Sequence, residues 1–462
     1  MVDRPTPSVP SAASAATSAG ALPTATPDAI VIGAGPGGLA AAAALSRRGV
    51  RTLVLERSDA VASSWRGHYD RLHLHTTRRL SGLPGLPIPR AYGRWVGRDD
   101  VIRYLEGYAE HHRIDVATGI EVSRIDRVDH VDSSGGVGGP GGAGDSRVGA
   151  SGKAGFRRRG AKGGGGTWQL PATGGRLLTA PVVVVATGTN HVPHVPDWPG
   201  RESFPGELLH AAHYRNAEPY AGRDVLIVGV GNTGAEIAVD LIEGGAARVR
   251  IAVRTPPHIL RRTTAGWPAQ ATGILCRRLP TGLVDRIAPH VERLSVPDLS
   301  AYGLARPTTG LYSRVRDDGA IPVQDVGLID AIRARRVEPV AAVESFNGDK
   351  VVLADGSRIS PEVVIAATGY RRGLEPLVGH LGVLDGDGRP LVHGPHTPPG
   401  APGLYFTGFT NPISGMFREL AIDARRIAHA AARTSRASRT PQPPRTSQTS
   451  RASQTSRASR RA

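Results

Sequence analysis

Short aliphatic runs alternate with helix-like stretches along most of the chain. Ala29–Ile32, Thr52–Leu55, Val182–Ala186, Val225–Val228, Val249–Val253 and Val363–Ala366 are almost free of polar side chains, the pattern of short strands buried on both faces. Helical periodicity follows Gly35, Asp99, Asn232 and Phe417. Strands alternating with helices predict an α/β fold of parallel sheets with helices on their faces. The spacing predicts two such domains, one inserted into the other: residues 28–190 and 345–433 form the first, residues 222–344 the second, and 191–221 a linker. Three segments fall outside the pattern. The lead, 1–27, is rich in Ala, Ser, Thr and Pro and has no continuous apolar stretch of secretory type; 133–166 is Gly-rich; and 434–462 imperfectly repeats Thr-Ser-Arg-Ala-Ser. None can bury enough apolar surface to offset its ordering entropy, so all three are expected to be disordered. The Gly-rich insert lies between strand-like Glu121–Val128 and Thr167–Leu170 and reads as an overgrown hairpin tip.

Each domain carries a glycine-rich turn. In the first, Ala29–Ile32 runs into Gly33-Ala34-Gly35-Pro36-Gly37-Gly38, then a helix, then Thr52–Leu55 ending at Glu56. In such a strand, turn, helix, strand unit Gly33 permits the tight turn, Gly35 lets the backbone approach a pyrophosphate, and Gly38 lets the helix pack close to the strand. The helix N-terminus favours phosphate through its unpaired N–H groups and its dipole. Glu56 is placed to accept hydrogen bonds from a ribose and disfavours a 2′-phosphate, so FAD or NAD is expected there. In the second, Val225–Val228 leads into Gly229-Val230-Gly231-Asn232-Thr233-Gly234, and Val249–Val253 ends at Arg254. A cation in place of the acid selects the 2′-phosphate of NADPH, with Arg261 and Arg262 as further candidates. Two different nucleotides in one chain predict two Rossmann-like dinucleotide-binding domains, with hydride passing from a nicotinamide to a flavin.

Composition narrows the alternatives. The formal charge of +17 suggests a polyanion partner, but seven arginines in the tail and six cations in the insert, against one acid, account for 12 of those charges. The remaining body is only modestly basic, so no specific nucleic-acid partner is expected. The single cysteine, Cys276, excludes an internal thiol relay between flavin and substrate and fits a reducing, cytoplasmic location. No apolar run reaches the ~18 residues of a membrane-spanning helix, so no transmembrane segment is expected.

Residue by residue, the chain resembles the class B flavin monooxygenases, the flavin-containing monooxygenase family. Phe204-Pro205-Gly206-Glu207-Leu208-Leu209-His210-Ala211-Ala212-His213-Tyr214 looks like that family's FxGxxxHxxx(Y/F) identifying motif and precedes the second glycine turn at the family's spacing. Ala186-Thr187-Gly188 and Ala367-Thr368-Gly369-Tyr370 are similar to its two Ala-Thr-Gly segments, and Gly403-Leu404-Tyr405-Phe406-Thr407-Gly408-Phe409 to its last FAD segment. Leu55-Glu56-Arg57-Ser58 and Tyr69-Asp70-Arg71-Leu72-His73-Leu74-His75 look most like the plant YUCCA-type branch. His75 stands where the animal and fungal branch has an asparagine at the flavin, and Ser63-Ser64 where that branch has a glycine pair.

The resemblance implies an FAD- and NADPH-dependent monooxygenase that forms a C4a-(hydro)peroxyflavin in a dry pocket and inserts one atom of O2 into a small organic substrate. The YUCCA-type segments imply an α-keto acid undergoing oxidative decarboxylation, with N- or S-oxygenation next. A non-oxygenating NADPH-dependent flavoprotein reductase and a non-catalytic nucleotide-binding redox sensor are the competing readings. Besides the glycines of the two turns, Glu56 and Arg254, the cofactor-binding candidates are Arg57, Trp65, Thr187, Gly188, His210, Tyr214, Asn232, Thr233, Thr368, Gly369, Gly408 and Phe409. His75 is the candidate catalytic residue, to hold the flavin N5–H and the peroxide oxygens. His210 and Tyr214 are expected to shape the interdomain hinge and the NADP+ contact. No metal is expected, and a homodimer is the candidate assembly.

Overall fold

The computed structural model describes residues 25–128, 166–264, 266–276, 279–317 and 319–439. The disorder expected of residues 1–24, 133–165 and 440–462 lies outside the described residues.

The first unit runs β1 (Ala29–Ile32), α1 (Pro36–Ser46), β2 (Thr52–Leu55), α2 (Arg98–His111) and β3 (Asp115–Ala117). An antiparallel meander follows, β4 (Asp126–Val128), β5 (Thr167–Ala172) and β6 (Arg176–Ala180), and then β7 (Val182–Val185). β4 and β5 flank the Gly-rich insert as the two arms of a hairpin, Val128 opposite Thr167. Because side chains alternate along a strand, Val31, Val54, Val182 and Val184 face the helices while Ile30, Leu53, Val183 and Val185 face Trp168 and Leu170 of the meander. Each such buried aliphatic side chain stabilises the layer by about 1.5–3 kcal/mol. α1 is buried on all sides from Gly37 to Leu45, and its alanines let it lie close both to the sheet and to the last helix.

The second unit repeats this plan. It comprises β8 (Glu207–His210), β9 (Asp224–Val228), α3 (Asn232–Glu243), β10 (Arg248–Val253), α4 (Leu328–Arg333) and β11 (Val337–Ala341). Its own meander is β12 (Val343–Asn347), β13 (Lys350–Leu353) and β14 (Arg358–Ile359), followed by β15 (Val363–Ala366). Here too Val225, Ile227, Val249 and Ile251 face helices, while Leu226, Val364 and Ala366 face Phe346, Val351 and Leu353 of the meander. The chain then returns to the first unit with β16 (Leu404–Phe406) and α5 (Met416–Arg439). The two five-stranded sheets have the orders β16-β7-β1-β2-β3 and β11-β10-β9-β15-β8. All their pairings are parallel.

Three expected boundaries are corrected. The return to the first domain does not fall at residue 345: β15 pairs with β9, Val225 opposite Val363, because the second sheet needs its own meander to cover the face away from its helices. The stretch 191–221 is more than a linker, since β8 adds to the edge of the second sheet beside β15. The final helix does not stop at Arg433 but continues to Arg439, and Ser435 is still buried as Ala431 and Ala432 pack into the first core. Among the described residues, no helix is long and apolar enough to cross a membrane.

Candidate active site

The two glycine turns are built alike. Gly33 and Gly229 take φ of 103° and 111°, where a side chain is strained, and a Cβ on either would sit 2.7 or 2.6 Å from the carbonyl oxygen of Ala186 or Ala367. A Cβ on Gly38 or Gly234 would fall 1.8 or 2.0 Å from the carbonyl oxygen of Gly33 or Gly229, so each helix touches its own turn. Gly35 and Gly231 behave differently. Each is the N-cap of its helix, with no side-chain cap, and a Cβ there would meet no atom within 4 Å. Both border one cavity of about 1370 Å³ that runs between the two units.

The walls of that cavity suit polar ligands. Thr187 Oγ1, Thr407 Oγ1, Gln324 Oε1, Arg372 Nε and His75 Nδ1 line it, are buried, and have no hydrogen-bond partner among the described residues. Buried polar atoms are rarely left unpaired, so these five fit bound groups with donors and acceptors of their own. The geometry thus accommodates two dinucleotides, with phosphate at each helix N-terminus.

Of the expected site residues, Gly33, Gly35, Glu56, Arg57, Trp65, His75, Thr187, Gly188 and Gly408 line the first part of the cavity. His210, Gly231, Asn232, Thr233 and Gly369 line the second. Glu56 is buried and held: Oε2 accepts from the Ala34 N–H at 2.7 Å, and Oε1 accepts from the Ser58 N–H at 3.0 Å and the Ser63 hydroxyl at 3.2 Å. Arg57 Nη1 lies 3.1 Å from His191 Nε2. Trp65 meets Phe417 edge to face.

Other candidates sit differently from expectation. Asn232 spends its amide on the main chain, donating to Pro322 O and accepting from the Gln324 N–H, so it pins a neighbouring loop to the turn. His210 donates from Nε2 to Gly369 O and accepts at Nδ1 from the Ala212 N–H, which fixes the neutral ring; burial lowers its pKa. It therefore clamps the second Ala-Thr-Gly segment. Tyr214 is off the cavity: fully buried, it donates to Asp240 Oδ2 at 2.6 Å and stacks on Tyr220. Thr368 donates to His194 O, and Phe409 packs against Phe406 in the core; neither reaches the cavity wall. Gly38, Gly229 and Gly234 act through packing alone. Arg254 is exposed at the end of β10 and makes no hydrogen bond or ion pair with the described residues. Arg261 and Arg262 each donate one hydrogen bond to the main chain, to Ser295 O and Leu74 O.

One residue was missed. Glu236, in the first turns of α3, is buried, and its Oε1 stands 3.3 Å from His75 Nε2, in contact but not aligned as a hydrogen bond. Tyr69 donates to its other oxygen at 2.8 Å. Burial, with Arg262 and His73 nearby, lowers His75 to about 4, so its ring is neutral at neutral pH. Burial raises Glu236 to about 7, against the pull of the Tyr69 hydrogen bond and of Arg262 and Arg71. The available signal was an acid on the otherwise apolar run Ile237-Ala238-Val239 and Leu241 of a core helix.

Fold and cavity together define an oxidoreductase of the two-dinucleotide-domain class, with both nucleotide cradles opening into one space. The chain belongs to the flavin-binding monooxygenase family, and it is a monooxygenase that uses FAD and NADPH. The Flavin-binding monooxygenase-like model matches residues 176–377, and the Pyridine nucleotide-disulphide oxidoreductase model matches 27–275. Indole-3-pyruvate monooxygenase YUCCA1 of Oryza sativa subsp. japonica is 36% identical over 387 residues, covering 83% of this chain and 87% of that protein. Indole-3-pyruvate monooxygenase YUCCA6 of Arabidopsis thaliana is 32% identical over 408 residues, covering 86% and 88%. In fold, a flavin-containing monooxygenase from Stenotrophomonas maltophilia superposes with a TM-score of 0.61 at 24% identity, covering 89% of this chain and 99% of that one. The family, the fold class and both cofactors expected from the sequence are borne out.

Proposed function

We propose that the enzyme carries out the oxidative decarboxylation of an α-keto acid, with FAD in the first cradle and NADPH in the second. FAD would be held by Gly35, Glu56, Arg57, Thr187, Thr407 and Gly408, and NADPH by Gly231, Thr233, Gly369 and Arg254, with His210 fixing Gly369 in place. The observation that carries this assignment is the single cavity reached by both uncapped helix N-termini, one beside a buried acid and the other in the unit whose β10 ends at an exposed arginine. Bound together, the nicotinamide supplies hydride to the flavin, and the flavin supplies the activation of O2. The side chains position and keep dry. His75 presents a neutral ring to the cavity, while Leu260, Ile321, Ile413 and Met416 give that space an apolar wall suited to the carbon skeleton of a substrate.

The substrate class is supported by relatives bearing the name indole-3-pyruvate monooxygenase. The reaction balances as α-keto acid + O2 + NADPH + H+ giving the carboxylic acid one carbon shorter, CO2, NADP+ and H2O. The test is turnover of indole-3-pyruvate and phenylpyruvate under 18O2, with catalase present to remove peroxide that would decarboxylate the keto acid unaided. One 18O in the product carboxylate, with NADPH oxidised in step, is expected. NADPH oxidation without that product, or label appearing instead on an amine or sulfide probe, would overturn the substrate assignment.

A further inference from the structure

A second cavity lies behind His75. It is lined by Arg71, His73, Trp95, Glu236, Asp240 and Arg262, among others, and opens to solvent past exposed Arg94 and Glu243. Glu236 borders this second cavity but not the main one; His75 borders the main one but not the second. The two side chains touch across the partition, 3.3 Å apart. Tyr69 fixes the far carboxylate oxygen, leaving Oε1 toward His75 without a hydrogen bond among the described residues. The other acids of this cavity are differently engaged: Asp240 accepts from Tyr214 and Arg71, Glu243 accepts from Arg71, and Asp325 accepts from the N–H groups of Gly327 and Ile329.

We propose that Glu236 is the proton carrier of this enzyme, taking a proton from solvent through the second cavity and giving it to His75 Nε2, while the Nδ1–H of the same ring releases its proton into the main cavity. The inference rests on the assignment of that end to the flavin and oxygen. The demand for a proton is set by stoichiometry: oxygenation consumes one H+ per NADPH, and so does the uncoupled reaction, NADPH + O2 + H+ giving NADP+ and H2O2. Rotation of the His75 ring about Cβ–Cγ would align the pair for transfer. Glu236, raised to about 7 by burial, retains a proton near neutrality, while His75, lowered to about 4, holds no second proton at rest and passes on any it receives. The charged groups facing them are Arg71, Arg262, Asp240 and His73.

The test uses full-length holoenzyme and the variants E236Q, E236D and Y69F. Oxygen-dependent NADPH consumption by the wild type should fall as pH rises through about 7. E236Q should lose that inflection and slow about tenfold, E236D should restore it, and Y69F should move it to higher pH, because the Tyr69 hydrogen bond favours the carboxylate. Thermal stability gives a readout independent of turnover. A folded value above the ordinary 4.5 means that stability present at low pH is lost as pH rises through 7, so the melting temperature of E236Q relative to wild type should climb across that window. His75 acts in the opposite sense, its contribution being lost as pH falls from 6.5 toward 4. An E236Q pH profile superimposable on wild type overturns the proposal, as does a flat stability difference; if E236Q does not fold, an unshifted inflection in Y69F does the same. Protein that cannot be loaded with flavin would instead refute the site assignment, with the apoprotein stability difference still reporting on Glu236.

Discussion

At the tip of β2 the acid is buried and already engaged, with Glu56 accepting hydrogen bonds from Ala34 and Ser58 main-chain N–H groups and from Ser63; at the tip of β10 the arginine is exposed and has no partner among the described residues. The turns that lead to these tips are almost superimposable in their tolerances: 2.7 against 2.6 Å at the first glycine and 1.8 against 2.0 Å at the third. The backbone plan of nucleotide binding is therefore common to both units, and the difference lies in how much of the site exists before a ligand arrives. A preorganised acid loses little freedom on binding and suits a cofactor that stays; a free side chain must be ordered at each encounter and suits one that leaves.

The largest effect should come from the turns themselves. In both units the third glycine packs on the first, whereas the second faces open space. Gly38→Ala should cost about 3 kcal/mol or more, since a methyl group against a carbonyl carbon and oxygen of the same turn cannot be relieved by a rotamer change. Gly35→Ala should cost no more than about 1 kcal/mol in the flavin-free protein yet abolish flavin retention, because its methyl group would occupy space reserved for ligand. Gly234→Ala and Gly231→Ala should divide in the same way, with NADPH binding lost and flavin kept in the second. Melting curves and flavin content per chain decide this; equal destabilisation by Gly35→Ala and Gly38→Ala would mean that the two glycines do the same job.

Much of this plan was legible because the two turns carry their geometry in glycine spacing, and short all-aliphatic strands can go nowhere but the middle of a sheet. The repeat of the meander was not. β12 to β14 are short, partly exposed strands with mixed polarity, and nothing local in Val343–Ile359 says which sheet they cover; the clue was the recurrence of four aliphatic residues before Ala-Thr-Gly at Thr187 and Thr368. Motif residues were legible as positions but not as roles. His210 and Asn232 line the cavity, yet spend their hydrogen bonds on the main chain, and Tyr214 is buried against Asp240, because a motif records that a side chain matters and not which partner it meets. Glu236 escaped notice since its importance arises only when β9 and α3 bring it beneath His75.

A smaller effect is expected at the acid. Glu56→Gln keeps the volume but turns one acceptor oxygen into a donor facing either the Ala34 N–H or the Ser58 and Ser63 donors. Loss of these bonds should lower apoprotein stability by about 1–3 kcal/mol and weaken flavin binding more than tenfold, by isothermal titration of the apoprotein. Unchanged stability would show that the buried network contributes nothing before flavin binds.

The smallest effect, and the one that bears most directly on the contrast between tips, belongs to Arg254. Because the side chain is exposed and unpaired among the described residues, Arg254→Ala should leave the melting temperature unchanged within about 1 °C. A 2′-phosphate gains a charge-assisted hydrogen bond there that the 2′-hydroxyl of NADH cannot match, so KM for NADPH should rise about tenfold while that for NADH moves less than about twofold. Equal loss for both coenzymes would place the phosphate elsewhere. Arg261 and Arg262 each donate one hydrogen bond to a main-chain oxygen and keep further N–H groups, so a compensating role for either would appear as an NADPH preference that survives Arg254→Ala and falls only when the second arginine is replaced as well.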